Sequence, residues 1–179
     1  MLLLRYKSFL MANPTKYTIF KTKWGYFGLA AGGKGLLRTC LSCPTCKTAE
    51  CHLLAGLHNP RFEKNLLKPL QDKIIAYFEG HPAKFATPLA LNHLPPFTQN
   101  VLTACRKIPF GKTISYSQLA AMIGKPLASR AVGNALAKNP IPLIIPCHRV
   151  IRSDGSLGQF SACGGTKTKK KLLDLERKC

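Results

Sequence analysis

A chain of 179 residues, 46% of them hydrophobic, suits one or two compact domains with a real core. No segment approaches the ~18 consecutive apolar residues of a membrane-spanning helix, and Met1-Leu2-Leu3-Leu4-Arg5 is too short and too soon charged for a secretory signal, so a soluble, cytoplasmic protein is expected. The net charge of +20 and a pI near 10.0 point toward a nucleic-acid partner.

Residues 1–15 read as a leader. Residues 17–39 read as short strands, with glycines 25, 28, 32, 33 and 35 supplying turns and a hairpin across 26–35. Residues 40–60 look irregular and cysteine-rich. A helix is expected over 62–79, where Leu66, Leu67, Leu70, Ile74 and Tyr77 recur at helical spacing before Gly80. Four prolines within 81–97 mark an extended linker. The second module opens near Phe97, with Thr98 as the cap of a helix through Val101, Leu102 and Cys105. Ser115 and Gln118 have capping-box spacing for a second helix, which Gly124 ends. A third helix is expected from Ala128 to Lys138, stopping at Asn139-Pro140. The last two helices form a helix-turn-helix pattern. Ile141 to Ile151 reads as buried extended chain, and 172–176 as a terminal helix behind a lysine run.

Charge is distributed unevenly. Between Glu79 and Asp154 there is no acidic residue, while Lys84, Arg106, Lys107, Lys112, Lys125, Arg130, Lys138, Arg149 and Arg152 fall within that stretch. One-signed charge of this length suggests a surface that meets phosphate. The third helix is rich in small residues (Ala128, Ser129, Ala131, Gly133), which permit close approach to another backbone, whether a neighbouring helix or DNA.

The reactive candidate is Cys147, beside His148. A free thiol has a pKa of about 8.5, so it needs a base to become nucleophilic at neutral pH. Neighbours on a strand point to opposite faces, so these two can cooperate only through a bend or a bridging water. Asp154, Asp174 and Glu176 are the acids available downstream to orient the imidazole.

The run Ile108-Pro109-Phe110-Gly111, Ser115-Tyr116-Ser117-Gln118-Leu119-Ala120, Arg130-Ala131-Val132-Gly133-Asn134-Ala135, Asn139-Pro140 and Pro146-Cys147-His148-Arg149-Val150 resembles the O6-alkylguanine-DNA alkyltransferases, also called methylated-DNA–protein-cysteine methyltransferases. The resemblance covers about residues 97–176. It implies an α+β protein in three parts: a leader (1–15), an amino-terminal ribonuclease-H-like α/β domain (16–94), and a mostly helical, winged-helix-like helix-turn-helix domain (95–179). It further implies direct repair of O6-alkylguanine, and of O4-alkylthymine, by base flipping and irreversible alkyl transfer to Cys147. His148 would be the base acting through water, Glu176 its orienter, and Asn139 the holder of the turn. Tyr116 would turn the phosphate and donate a proton. Arg130 would fill the gap left by the flipped base, with Ala128, Ser129, Ala131 and Gly133 against the minor groove. Val150, Phe160 and Ser161 would line the base pocket. The implied partner is double-stranded DNA carrying alkylated guanine, met by a monomer that requires no cofactor.

Two departures stand out. Leu102 replaces a common Trp, and the segment 159–165 carries about two extra residues. Alternatives from other classes are a DNA module that flips lesions without transfer, against which Cys147 argues, and a cysteine hydrolase, against which the basic helix pair argues. Cys40, Cys43, Cys46 and Cys51 lie within twelve residues, with His52 and His58 close behind. Such spacing would suit zinc or an iron–sulfur cluster, but it does not match the first-domain zinc site of some family members. A loop of unlinked, reduced thiols is the expectation.

Overall fold

The computed structural model describes residues 14–178, so residues 1–13 of the expected leader, and Cys179, lie outside it. Four strands build the first sheet: β1 (Lys16–Thr22), β2 (Gly25–Gly32), β3 (Gly35–Cys43) and β4 (Arg61–Phe62). Their order is β3-β2-β1-β4, with β4 parallel to β1 and the other pairs antiparallel. Gly25 and Gly35 turn the two hairpins at φ of 114° and 118°, a region that side chains disfavour. A Cβ on Gly35 would also lie 2.5 Å from the Pro88 carbonyl. That closeness is used: Leu36 N–H donates to Pro88 O and Ala90 N–H to Leu36 O, each at 2.9 Å. The proline-rich segment is thereby pinned along β3.

The irregular stretch expected over 40–60 contains a helix, α1 (Cys46–Leu54), and β3 runs on to Cys43. Thr45 caps α1 by accepting from Thr48 N–H, and Ala49 and Leu53 bury its inner face. The next helix, α2 (Lys68–Glu79), starts six residues later than the spacing predicts, because Arg61 and Phe62 pair with β1. It packs Leu70, Ile74, Tyr77 and Phe78 inward and ends at Gly80 with φ 104°.

The second half is mainly helical. In α3 (Pro96–Cys105) the N-cap is Pro95; Thr98 lies inside the first turn, buried, instead of capping. In α4 (Tyr116–Met122) both capping-box bonds form between Ser115 and Gln118. Helix α5 (Ser129–Ala137) follows, with Ala128 at its N-cap position and no side-chain cap. Residues 141–150 are all buried, but the expected extended chain is bent. Leu143 takes a φ of 75°, and Cys147–Arg149 form a single 3-10 turn. Two short strands, β5 (Ile114–Ser115) and β6 (Val150–Ile151), then pair in parallel. That pairing sets the start of α4 beside the Cys147 turn. The terminal helix α6 (Gly165–Arg177) takes in the lysine run.

The architecture is therefore mixed α+β, with an amino-terminal sheet and a helical carboxy-terminal part. One apolar core passes through both, from Phe27, Leu29 and Tyr77 to Leu102, Val132 and Leu172. No helix among the described residues is long and apolar enough to cross a membrane.

Candidate active site

The thiol at the centre is held from behind. Cys147 is 5% exposed, and its Sγ accepts a hydrogen bond from Asn139 Nδ2 at 3.1 Å. Asn139 follows α5 directly and is itself fixed: Nδ2 also donates to Ile145 O, and Oδ1 accepts from Ile141 N–H, both at 3.0 Å. One amide thus closes the 139–147 turn and touches the sulfur. Burial pushes the Cys147 thiol up, while Asn139 and the Lys169 ammonium pull it back. The resting group is a thiol with support for a thiolate already in position.

The 3-10 turn puts His148 and Arg149 against the last helix. His148 is fully buried, and its Nε2 lies 2.8 Å from Glu176 Oε1. Arg149 grips the same carboxylate, with Nε at 2.9 Å from Oε2 and Nη2 at 2.9 Å from Oε1. Its Nη1 donates to Ile108 O. Tyr77 Oη donates to Oε1 at 2.6 Å and Gly111 N–H to Oε2 at 3.1 Å. So many donors hold Glu176 well below the usual carboxylate range despite its burial. Burial keeps His148 neutral by lowering its pKa, an effect Glu176 only partly offsets. An ionised Glu176 can only accept, so the imidazole proton sits on Nε2. Nδ1, buried and with no hydrogen-bond partner among the described residues, is then the free lone pair.

Tyr116 stands on the other side. Its pKa is raised, first by burial and then by Cys147, so it remains a phenol able to donate. The Lys169 Nζ lies 5.7 Å from the centre of its ring and donates to Val150 O at 2.6 Å. Gly158 closes against the hydroxyl: a Cβ there would meet Tyr116 Oη at 2.2 Å.

A groove of ≈630 Å³ joins Tyr116 and Gly158 to Ser129, Arg130, Gly133, Asn134 and Arg152. Arg130 and Ala131 are exposed, and Ala128, Ser129 and Gly133 half-exposed, and of these Ser129, Arg130 and Gly133 line the groove. Of the expected pocket residues, Val150 is fully buried and Phe160 nearly so. Ser161 is exposed and borders a different cavity, with Asn139, Cys40 and His52.

The structure corrects three readings. Arg149 is not a surface cation for phosphate but the buried partner of Glu176. Arg106 is likewise turned inward to the carbonyls of Phe85 and Thr87. The four-cysteine group is split, because α1 carries Cys46 and Cys51 into solvent while Cys40 and Cys43 stay buried. Lys169, fully buried, was missed. Its place beside Leu172, Leu173 and Glu176 at helical spacing carried the signal.

The family described as 6-O-methylguanine DNA methyltransferase, DNA binding domain, matches residues 96–178. A methylated-DNA–protein-cysteine methyltransferase of Saccharolobus solfataricus is 38% identical over 160 residues, covering 89% of this chain and 94% of that protein. The chain belongs to the methylated-DNA–protein-cysteine methyltransferase family. The family member from Mus musculus is 46% identical over 104 residues, 55% of this chain; the chain spans about half (49%) of that protein's length. Mycobacterium tuberculosis OGT, solved in complex with DNA, aligns with a TM-score of 0.76 at 33% identity, covering 91% of this chain and 93% of that one. The matched methyltransferase region contains Tyr116, Arg130, Asn139, Cys147, His148 and Glu176, and excludes Cys40, Cys43 and His52.

Proposed function

We propose that this chain restores O6-alkylguanine, and O4-alkylthymine, in double-stranded DNA by moving the alkyl group irreversibly to Cys147. The observation that carries the reading is the relay itself. A buried thiol accepts from Asn139, and the neighbouring imidazole is neutral, pinned by Glu176 at Nε2 and free at Nδ1.

His148 Nδ1 takes the thiol proton through a water, and Asn139 steadies the thiolate. Sulfur attacks the alkyl carbon in line, at roughly 3–3.5 Å. The S–C bond forms as the C–O6 bond breaks, and the electron pair leaves on the guanine. Tyr116, kept as a phenol, supplies a proton to that leaving base. The products are guanine and S-alkylcysteine, so the thiol is both nucleophile and final acceptor. Each chain acts once, and the step needs no cofactor.

Access requires flipping the base at a cost of a few kcal/mol. Helix α5 lies in the minor groove, where Ala128, Ser129, Ala131 and Gly133 permit close approach. Arg130 fills the vacated stack. Val150 and Phe160 border the flipped base, while Ser161 faces the separate cavity beside Asn139 and His52. The sheet order, with β4 parallel to β1, supports a ribonuclease-H-like first domain over 16–94. The α4–α5 pair and the β5–β6 strands support a winged-helix-like second domain over 95–179.

Mixing the protein with a duplex containing O6-methylguanine tests the reading. Restored guanine should rise to one per chain and stop, and Cys147→Ala should restore none. Continued turnover would contradict it.

A further inference from the structure

A C-x-x-C pair and a histidine from the next helix meet beside a cavity that Asn139 also lines. Cys40 Sγ and Cys43 Sγ are 3.2 Å apart. With a ring nitrogen of His52, all three candidate donor atoms lie within 4.8 Å of one another. Cys163 packs on the same cluster and lines the same cavity as Cys40 and His52.

The backbone is bent to bring this about. Residues three apart on a straight strand face opposite sides of the sheet, so Cys40 and Cys43 should not meet. Ser42 lies between them at φ 50°, a left-handed conformation unusual for a residue with a side chain. Its Oγ is buried with no hydrogen-bond partner among the described residues. The register slips at the same place, where Tyr26 pairs with Cys43 but Gly28 with Cys40. Strain and an unpaired hydroxyl persist where surrounding structure enforces them, commonly at ligand clamps. Helix α1 brings His52 in from the side, its Leu53 packed against Gly28.

We propose that Cys40, Cys43, Cys163 and His52 form a tetrahedral site for a soft divalent transition ion, zinc in the first instance. Three thiolates and one imidazole are a common structural zinc set. On binding, the thiols release their protons, and three thiolates on a dication leave one negative charge. Arg38, which lines the cavity, and the chain's net +20 offset it. The ligands come from β3, α1 and the loop before α6. The ion would tie the first sheet to the 159–165 segment, which carries the extra residues together with Phe160 and Ser161. Its role is structural, holding the outer wall of the base pocket.

The test uses the full chain, reduced and stripped of metal, titrated with zinc or cobalt(II). Cobalt should give the intense visible bands of a tetrahedral thiolate site, saturating at one ion per chain. Zinc should protect Cys40, Cys43 and Cys163 from iodoacetamide, read by peptide mass, and leave Cys46 and Cys51 reactive. Cys163→Ser should weaken zinc binding by at least about tenfold, the scale of losing even an outer-shell partner, while Cys46→Ser with Cys51→Ser should not. Cys147→Ala should retain the ion, which separates this result from the fate of the transfer reaction. Octahedral cobalt bands, unprotected thiols, or a Cys40–Cys43 disulfide formed in preference to metal binding would overturn the proposal.

Discussion

Glu176 receives hydrogen bonds from Tyr77, Gly111, His148 and Arg149, and two predictions start from that crowding. Glu176→Gln leaves the Arg149 cation buried without its counter-charge, so stability should fall by roughly 3–5 kcal/mol, measured by denaturant titration. The same change frees the His148 ring, so iodoacetamide should reach the Cys147 thiolate only at higher pH. His148 itself has a lowered pKa in the fold, against 6.5 when free. Below that value the unfolded chain binds a proton that the folded chain refuses. Stability should therefore decline as pH falls from about 7 to about 5, and His148→Gln should flatten the decline. At this scale Cys147, His148, Asn139 and Tyr116 were legible, because contiguous motifs carry them. Arg149 and Lys169 were not, since a charge in a sequence does not tell whether a carboxylate or a carbonyl waits for it inside.

Elements differ in how much local chemistry fixes them. The Ser115–Gln118 box and the α5 stop at Asn139-Pro140 were readable because neighbours in sequence make those contacts. Helix α1 was not, because its cysteine-rich stretch read as irregular, and only Ala49 and Leu53 mark its buried side. Strand β4 is two residues long and exists only through β1. The β5–β6 pairing joins residues thirty-six apart, and it is what brings Tyr116 near Cys147. Gly158→Ala should force Tyr116 Oη aside. Single-turnover transfer should slow toward that of Tyr116→Phe, itself about 100-fold down or more for a lost proton donor, with the melting temperature little changed. Arg130→Ala should slow transfer from duplex DNA far more than from free O6-benzylguanine, which needs no flipping. Equal losses on both substrates would mean that Arg130 serves the pocket.

For the whole molecule, net charge points toward a nucleic-acid partner, but not every cation is available to meet phosphate. Arg106, Arg149 and Lys169 are spent on the interior. Affinity for duplex DNA should still fall steeply with salt as counterions are released, and Arg149→Lys should alter stability rather than the salt slope. The most direct measurement of the central claim is intact-protein mass, followed by peptide mapping, after incubation with an O6-methylguanine duplex. The account predicts a gain of one methyl group per chain, located on Cys147, and none in Cys147→Ala, which should still bind the duplex. A methyl group mapped to Cys105 or Cys163, or an unmodified chain beside repaired DNA, would contradict it.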